Sequence, residues 1–249
     1  MAQPTIIGIA ADGNTRTYAA DDDTSGAGSE RVFSNISVPA NANTMLVLVA
    51  LNDSGSAEAM TNIALSGVTG ASELYDLSLT PPTRYVSSRF AVFDVRGSGA
   101  TSSGQITATI ASTSTKKSLC GVVFTDGYVE SFSLSQQRLL DDTCFSTVAS
   151  SNMLNNIQVF MGMVDGSGLV DFNFSGTGVS DLYKTASSSS DISSVAAQQA
   201  TTANNAKTIS FSKGSEDVVY ASILLSSQPN PLADIDPRGD IISHDIITN

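Results

Sequence analysis

The sequence predicts an all-β protein: a single β-sandwich built from two sequence-related halves, followed by an extended C-terminal tail. Three observations predict it. Apolar and polar residues alternate in many short stretches, clusters of Gly, Ser, Asn and Asp separate those stretches, and one phrase is written twice, as SGVTGASELYDLS at 66–78 and SGTGVSDLYKTAS at 175–187.

The alternation is clearest at 105–110, where Ile106, Ala108 and Ile110 fall on one side and Gln105, Thr107 and Thr109 on the other. A period of two residues is that of a strand with one dry and one wet face. It returns at 131–135, 170–174 and 208–212, and further strands are expected at 4–10, 31–38, 44–51, 60–65, 74–79, 85–95, 118–124, 156–164, 192–198 and 218–225. No stretch holds a helical apolar period for three turns. Between the strands lie 52–55 (NDSG), 97–104 (GSGATSSG) and 165–168 (DGSG), whose residue types suit turns. Many short strands joined by such turns make a sandwich or jelly roll.

The doubled phrase belongs to a longer correspondence. MLVLVALNDSG, the phrase, RYVSSRFAVFDV, QITATIAS and SLCGVVF run in the same order as IQVFMGMVDGSG, the phrase, DISSVAAQQA, KTISFSKG and VVYASILL. One long duplication means two related halves, whereas a short fixed period would have meant a solenoid or propeller. A half-sheet with one apolar face cannot stay in water alone, so the halves are expected to stack face to face around one core, about 10 Å between sheets. Two separate small domains are the alternative. No Pro-rich or charged linker divides the halves near 146–155. The Leu-Tyr pairs, Leu74-Tyr75 and Leu182-Tyr183, are expected to serve equivalent packing positions.

The organisation that follows is an N-terminal strand and polar loop at 1–29, a sandwich at 30–227 with halves at about 30–135 and 150–227, and an arm at 228–249. The loop, AADGNTRTYAADDDTSGAGSE, is long for a compact domain without a task. The arm holds Pro229, Pro231 and Pro237, which interrupt regular pairing, yet it carries Leu232, Ile235, Ile241, Ile242, Ile246 and Ile247. A tail that apolar is expected to lie against another subunit or back across its own domain.

Composition excludes several classes. Acidic residues outnumber basic ones 24 to 12, for a formal charge of -12, and no basic cluster exceeds Lys116-Lys117. A phosphate backbone would be repelled, so nucleic acid is not an expected partner. The longest apolar run, Met45 to Leu51, falls far short of the ~20 residues of a membrane helix. No membrane partner is expected. The N-terminus lacks the basic and apolar regions of a secretory signal, which points to synthesis in a cytoplasm.

Chemistry-bearing motifs are scarce. The one histidine, His244, sits in the arm, so no Ser/His/Asp or Cys/His set forms within the sandwich. Phosphate-loop, dinucleotide and zinc-protease motifs do not occur, and no metal or other cofactor is expected. The acidic clusters Asp21-Asp22-Asp23 and Asp141-Asp142 lie in loops, where solvated charge is the ordinary state; calcium would be their better use than acid–base catalysis, but neither has the EF-hand pattern. Cys120 lies in the apolar run 119–124 and is expected as a buried, inert thiol, with a bridge to Cys144 as the alternative. Arg238-Gly239-Asp240, an integrin-type tripeptide, and the sequons at Asn35 and Asn173 have their plain reading as turn and strand residues. No Trp is available to form an aromatic sugar platform.

The progression VPANANTMLVLV (38–49), SGVTG (66–70), RFAVF (89–93), QITATI (105–110) and VVYASILL (218–225) resembles jelly-roll-like β-sandwich modules of tailed-phage virion proteins and bacterial surface proteins. The resemblance covers about residues 30–227 and consists of strand and turn patterns. It implies a non-enzymatic structural protein of a virion, made in a host cytoplasm: a decoration, collar or tail-associated subunit. Its terminal segments would grip other virion proteins and copies of itself. Where such modules commonly hold an aromatic residue, often Trp, this chain has Phe93, and no residue-level site carries over. The second reading is a carbohydrate- or receptor-binding module, at a fibre tip or cell surface, that contacts a surface glycan through the loops beginning at Asp53 and Asp165.

Overall fold

The computed structural model describes residues 3–10, 18–21, 28–52, 60–79, 86–114, 118–138, 143–148, 156–165, 173–175, 179–185, 192–200, 207–212, 217–228, 233–235 and 241–243. Among them there are strands and turns but no helix. In chain order the strands are β1 (Ile6–Ala10), β2 (Tyr18–Asp21), β3 (Gly28–Val38), β4 (Thr44–Asn52), β5 (Met60–Ser66), β6 (Ser72–Leu79), β7 (Val86–Asp94), β8 (Thr101–Ser114) and β9 (Ser118–Thr125). They continue as β10 (Tyr128–Arg138), β11 (Thr143–Val148), β12 (Ile157–Asp165), β13 (Asn173–Ser175), β14 (Val179–Thr185), β15 (Ile192–Ala200), β16 (Lys207–Ser212), β17 (Asp217–Ser226), β18 (Ala233–Ile235) and β19 (Ile241–Ser243). The expected all-β class is what the chain adopts.

All strand pairs are antiparallel. A six-stranded sheet has the order β1-β9-β4-β7-β6, with β2 also on β9; a five-stranded sheet has the order β10-β17-β12-β15-β14. Two three-stranded sheets run β3-β8-β5 and β11-β16-β13, and β18-β19 is a separate pair. Adding eight to each strand number converts β2-β9-β4-β7-β6 into β10-β17-β12-β15-β14, and β3-β8-β5 into β11-β16-β13.

The irregularities repeat with the order. In β6, Glu73 pairs with Phe93 and Tyr75 with Val92, which leaves Leu74 as the extra residue of a bulge. In β14, Asp181 pairs with Ala197 and Tyr183 with Ala196, which likewise leaves Leu182 as the extra residue. The twice-written phrase thus encodes a bulged strand at the edge of a large sheet, a usual place for bulges and one where they hinder pairing with foreign strands. Just ahead of β6, Gly67 has φ of 71° and a Cβ there would lie 2.2 Å from the Ser103 carbonyl oxygen, so the turn admits only glycine. A second matching bulge skips Ile7 in β1 and Glu130 in β10.

The core sits on both faces of the six-stranded sheet. Leu46, Leu48 and Ala50 of β4 join Phe90 and Val92 of β7 and Val123 of β9 in one cluster. Its other wall is Phe132 of β10, Ile157, Val159 and Met161 of β12, and Val219, Ala221, Ile223 and Leu225 of β17. The alternate residues Met45, Val47 and Val49 face the opposite way, against Phe33 and Ile36 of β3, Ile63 of β5, and Ile106, Ala108 and Ile110 of β8. Successive side chains of a strand point to opposite faces, so the unbroken run Met45–Leu51 suits a strand covered on both.

Two differences from expectation follow. The described residues hold two apolar clusters, one on each face of the six-stranded sheet, where one core was anticipated. The polar stretch 10–30 was expected as loop, yet Tyr18–Asp21 forms β2. The reason is backbone satisfaction: β1 pairs with β9 from Thr125 to Val122, and β2 takes over from Gly121 to Ser118. The dry face at 105–110 is as expected, with Ile106, Ala108 and Ile110 buried and Gln105, Thr107 and Thr109 half-buried.

Candidate functional site

The arm residues are brought together in part. Ile235 ends β18, and Ile241 and Ile242 begin β19, with Ala233 opposite Ser243, Asp234 opposite Ile242 and Ile235 opposite Ile241. Among the described residues this hairpin pairs with no other strand. An isolated two-stranded hairpin is at best marginal in water and needs an apolar surface to rest on. Leu232, Ile246 and Ile247 lie outside the described residues, as do His244 and the 238–240 tripeptide.

Asp53 also lies outside them. Asp165 is the last residue of β12, opposite Ile192 on one side and Asp217 on the other. Its counterpart in strand order, the last residue of β4, is Asn52, opposite Val86. The loops that Asp53 and Asp165 lead therefore follow corresponding strands. Of the acidic clusters only Asp21 is described, at the end of β2. No group of three metal-ligating side chains occurs among the described residues.

The N-terminal segment is engaged within its own chain. The Asp126 carboxylate, in the turn from β9 to β10, accepts hydrogen bonds from Thr5 N (2.6 Å) and Thr5 Oγ1 (2.8 Å). Thr125 Oγ1 donates to the Thr5 carbonyl (2.8 Å) and accepts from Gly127 N (2.9 Å). Thr44 Oγ1 donates to the Gly127 carbonyl (2.7 Å), and Asn43 Nδ2 donates to that of Asp126. Gln3 Nε2 reaches the Asn156 carbonyl, 3.1 Å away, ahead of β12. Pro4 is buried against Gly127, where a Cβ would come within 2.7 Å of the Pro4 Cβ. Residues 3–5 and the 125–127 turn thus tie the two large sheets together.

Two ion pairs show what the charged side chains do here. Arg89 of β7 holds Asp76 of β6 through Nε, donates to the Met60 carbonyl (3.2 Å) on β5, and leaves Asp76 Oδ2 to accept from Ile63 N (3.1 Å). Both side chains are largely buried, at 14% and 6% exposure, so the pair clamps the six-stranded sheet to β5. Arg96, half-exposed, forks onto Asp94 and lies 5.5 Å over the Tyr128 ring. The Arg96 hydrogen bond holds the Asp94 carboxyl below its ordinary range against the opposing effect of burial, and the same contact pushes the Arg96 guanidinium further up.

Cys120 carries a free, buried thiol, as expected, so the alternative of a bridge to Cys144 is not adopted. Burial pushes the thiol well above its ordinary range. On the face of the five-stranded sheet away from the shared core, Gln158 Nε2 donates to Ser222 Oγ (2.7 Å) beside the stacked rings of Phe160 and Tyr220, whose centroids are 5.5 Å apart. Gln158 Oε1 and Ser131 Oγ have no hydrogen-bond partner there.

The sequence reading singled out acidic runs and missed Asp76, Asp94 and Asp126, which stand singly. The available signal was a lone Asp or Arg inside a strand otherwise poor in charge, as in FAVFDVR at 90–96. Comparison of the chain with protein-family models, with curated proteins and with solved structures finds no match in any of the three.

Proposed function

We propose that this chain is a non-enzymatic structural subunit of a virion, in a decoration, collar or tail-associated position, built from two sequence-related jelly-roll-like sandwich halves. The strand order supports the halves: β2 to β9 and β10 to β17 each place five strands as first-eighth-third-sixth-fifth in one sheet and three as second-seventh-fourth in the other. The observation that carries the attachment is the β18–β19 hairpin, an apolar pair of strands outside the other described sheets. The N-terminal residues 3–5 are spent on the chain's own turn, so the C-terminal arm is the segment left to grip other virion proteins or copies of the chain.

Deletion of 228–249 tests this. The truncated protein is expected to remain soluble, with the melting behaviour of the full chain, and to fail to enter its assembly. If it is incorporated as efficiently as the full chain, the arm is not the anchor and the reading falls.

A second reading, a glycan- or receptor-binding module, is favoured by one observation: the loops led by Asp53 and Asp165 follow the corresponding strands β4 and β12. Specific binding on a glycan array, lost in Asp53→Ala and Asp165→Ala, would support it over the structural one.

A further inference from the structure

We infer that the apolar face of each large sheet is a self-complementary docking surface whose partner is a second sandwich of the same kind, and that this chain is such a dimer folded into one polypeptide. The inference rests on the reading of two related halves. It concerns how they meet, which that reading leaves open.

Across the shared core, β4 packs on β12, β7 on β17, β9 on β15 and β10 on β6. Under the shift of eight strands, β4 and β12 are counterparts, and the contact of β7 with β17 becomes that of β15 with β9. The first is its own image and the next two are images of each other, the pattern of an isologous interface; the image of the contact of β10 with β6 would join β2 to β14. The residues agree. Leu46 opposite Val123 on the six-stranded sheet corresponds to Val159 opposite Ile223 on the five-stranded one, and all four lie in the shared cluster. The bulges in β1 and β10 keep this correspondence, since Thr125 and Phe124 flank Ile7 as Leu225 and Leu224 flank Glu130.

Direction follows as well. Two sheets of the same hand, set face to face with β7 over β17 and β9 over β15, can only have β4 and β12 running the same way. The pseudo-twofold axis therefore lies along these strands, and the chain leaves both at the same end of the molecule. The paired face is satisfied within one chain, so no second copy is needed to cover it.

Spin-label distances in the full chain test the symmetry, with labels on cysteines introduced in a Cys144→Ser background. Asn52 and Asp165 are counterparts at the ends of β4 and β12, and Thr5 and Tyr128 are counterparts ahead of the two matching bulges. The two cross-half distances, Asn52 to Tyr128 and Asp165 to Thr5, are expected to coincide. The two within-half distances, Asn52 to Thr5 and Asp165 to Tyr128, are expected to coincide also. Matching within-half but discordant cross-half distances would overturn the twofold arrangement and leave the related halves standing. Discordant within-half distances would overturn the related halves and the twofold arrangement together.

Discussion

Phe132 of β10 meets Phe90 of β7 across the shared core, ring centroids 5.7 Å apart and planes tilted by 51°. The same Phe132 ring lies 5.7 Å from that of Tyr75 on β6. One side chain from the five-stranded sheet thus fills the space between two aromatic residues of the six-stranded sheet, a tilted geometry that aromatic pairs favour.

Replacing Phe90, which has no exposed surface, by Ala is expected to destabilise the protein by about 3–5 kcal/mol, since the cavity adds to the lost transfer energy. Leu74→Ala, at a bulge residue 48% exposed, is expected to change stability by no more than about 0.5 kcal/mol. Urea unfolding of both variants checks the contrast. Equal losses would mean that the shared core does not lie where these rings are.

The clamp between the sheets gives a second contrast. Arg89→Met leaves the Asp76 carboxylate buried without its counter-ion, and the expected loss is about 3–5 kcal/mol. The double variant Arg89→Met/Asp76→Leu removes both charges and is expected to recover part of that loss, because the desolvation cost goes with them. A double variant less stable than Arg89→Met alone, in a thermal melt, would show that the carboxylate's bond from Ile63 N matters more than the ion pair.

The strands were legible where alternation meets water on one side, as at Ile106, Ala108 and Ile110, because polarity itself records the two faces. The run Met45–Leu51 was legible as buried, but a run apolar at every position does not say which sheets cover it. The doubled phrase was visible as a repetition. That Leu74 and Leu182 are bulge residues was not, because a bulge is defined by the partner strand. The polar contacts were hidden for a related reason. Asp126 and Thr5 are 121 positions apart, and Asp76 meets Arg89 only through the register that the bulge sets. The arm was legible as apolar, while its hairpin was not, since Pro237 interrupts the segment and its strands are three residues each.

Asp94 provides a pH test. Its carboxyl is held below the ordinary value of 3.8 chiefly by the Arg96 side-chain hydrogen bond. A depressed carboxyl contributes stability above its unfolded value and loses it as pH falls through the lower folded one. The gap in melting temperature between the wild type and Arg96→Gln is therefore expected at neutral pH and to close in acid, below the ordinary carboxylate range. The gap will be small and salt-sensitive, because Arg96 is 51% exposed. The Asp94 carboxyl resonance should titrate at higher pH in Arg96→Gln. An unchanged midpoint would mean that the fork onto Asp94 does not persist in solution.

Cys120 tests the second apolar layer. It is 1% exposed, in the cluster that Met45, Val47 and Val49 share with β3, β5 and β8. The reactive species of cysteine is the thiolate, and burial both disfavours that form and blocks access to it. In a Cys144→Ser background, the folded protein is expected to resist maleimide at mildly alkaline pH and to react fully once denatured. Cys120→Ser places a hydroxyl in apolar surroundings and is expected to cost about 1–3 kcal/mol, more than Cys120→Ala does at the same site. Stoichiometric labelling of the folded Cys144→Ser protein would put the thiol at the surface, and with it the face of the six-stranded sheet on which β3, β5 and β8 are packed.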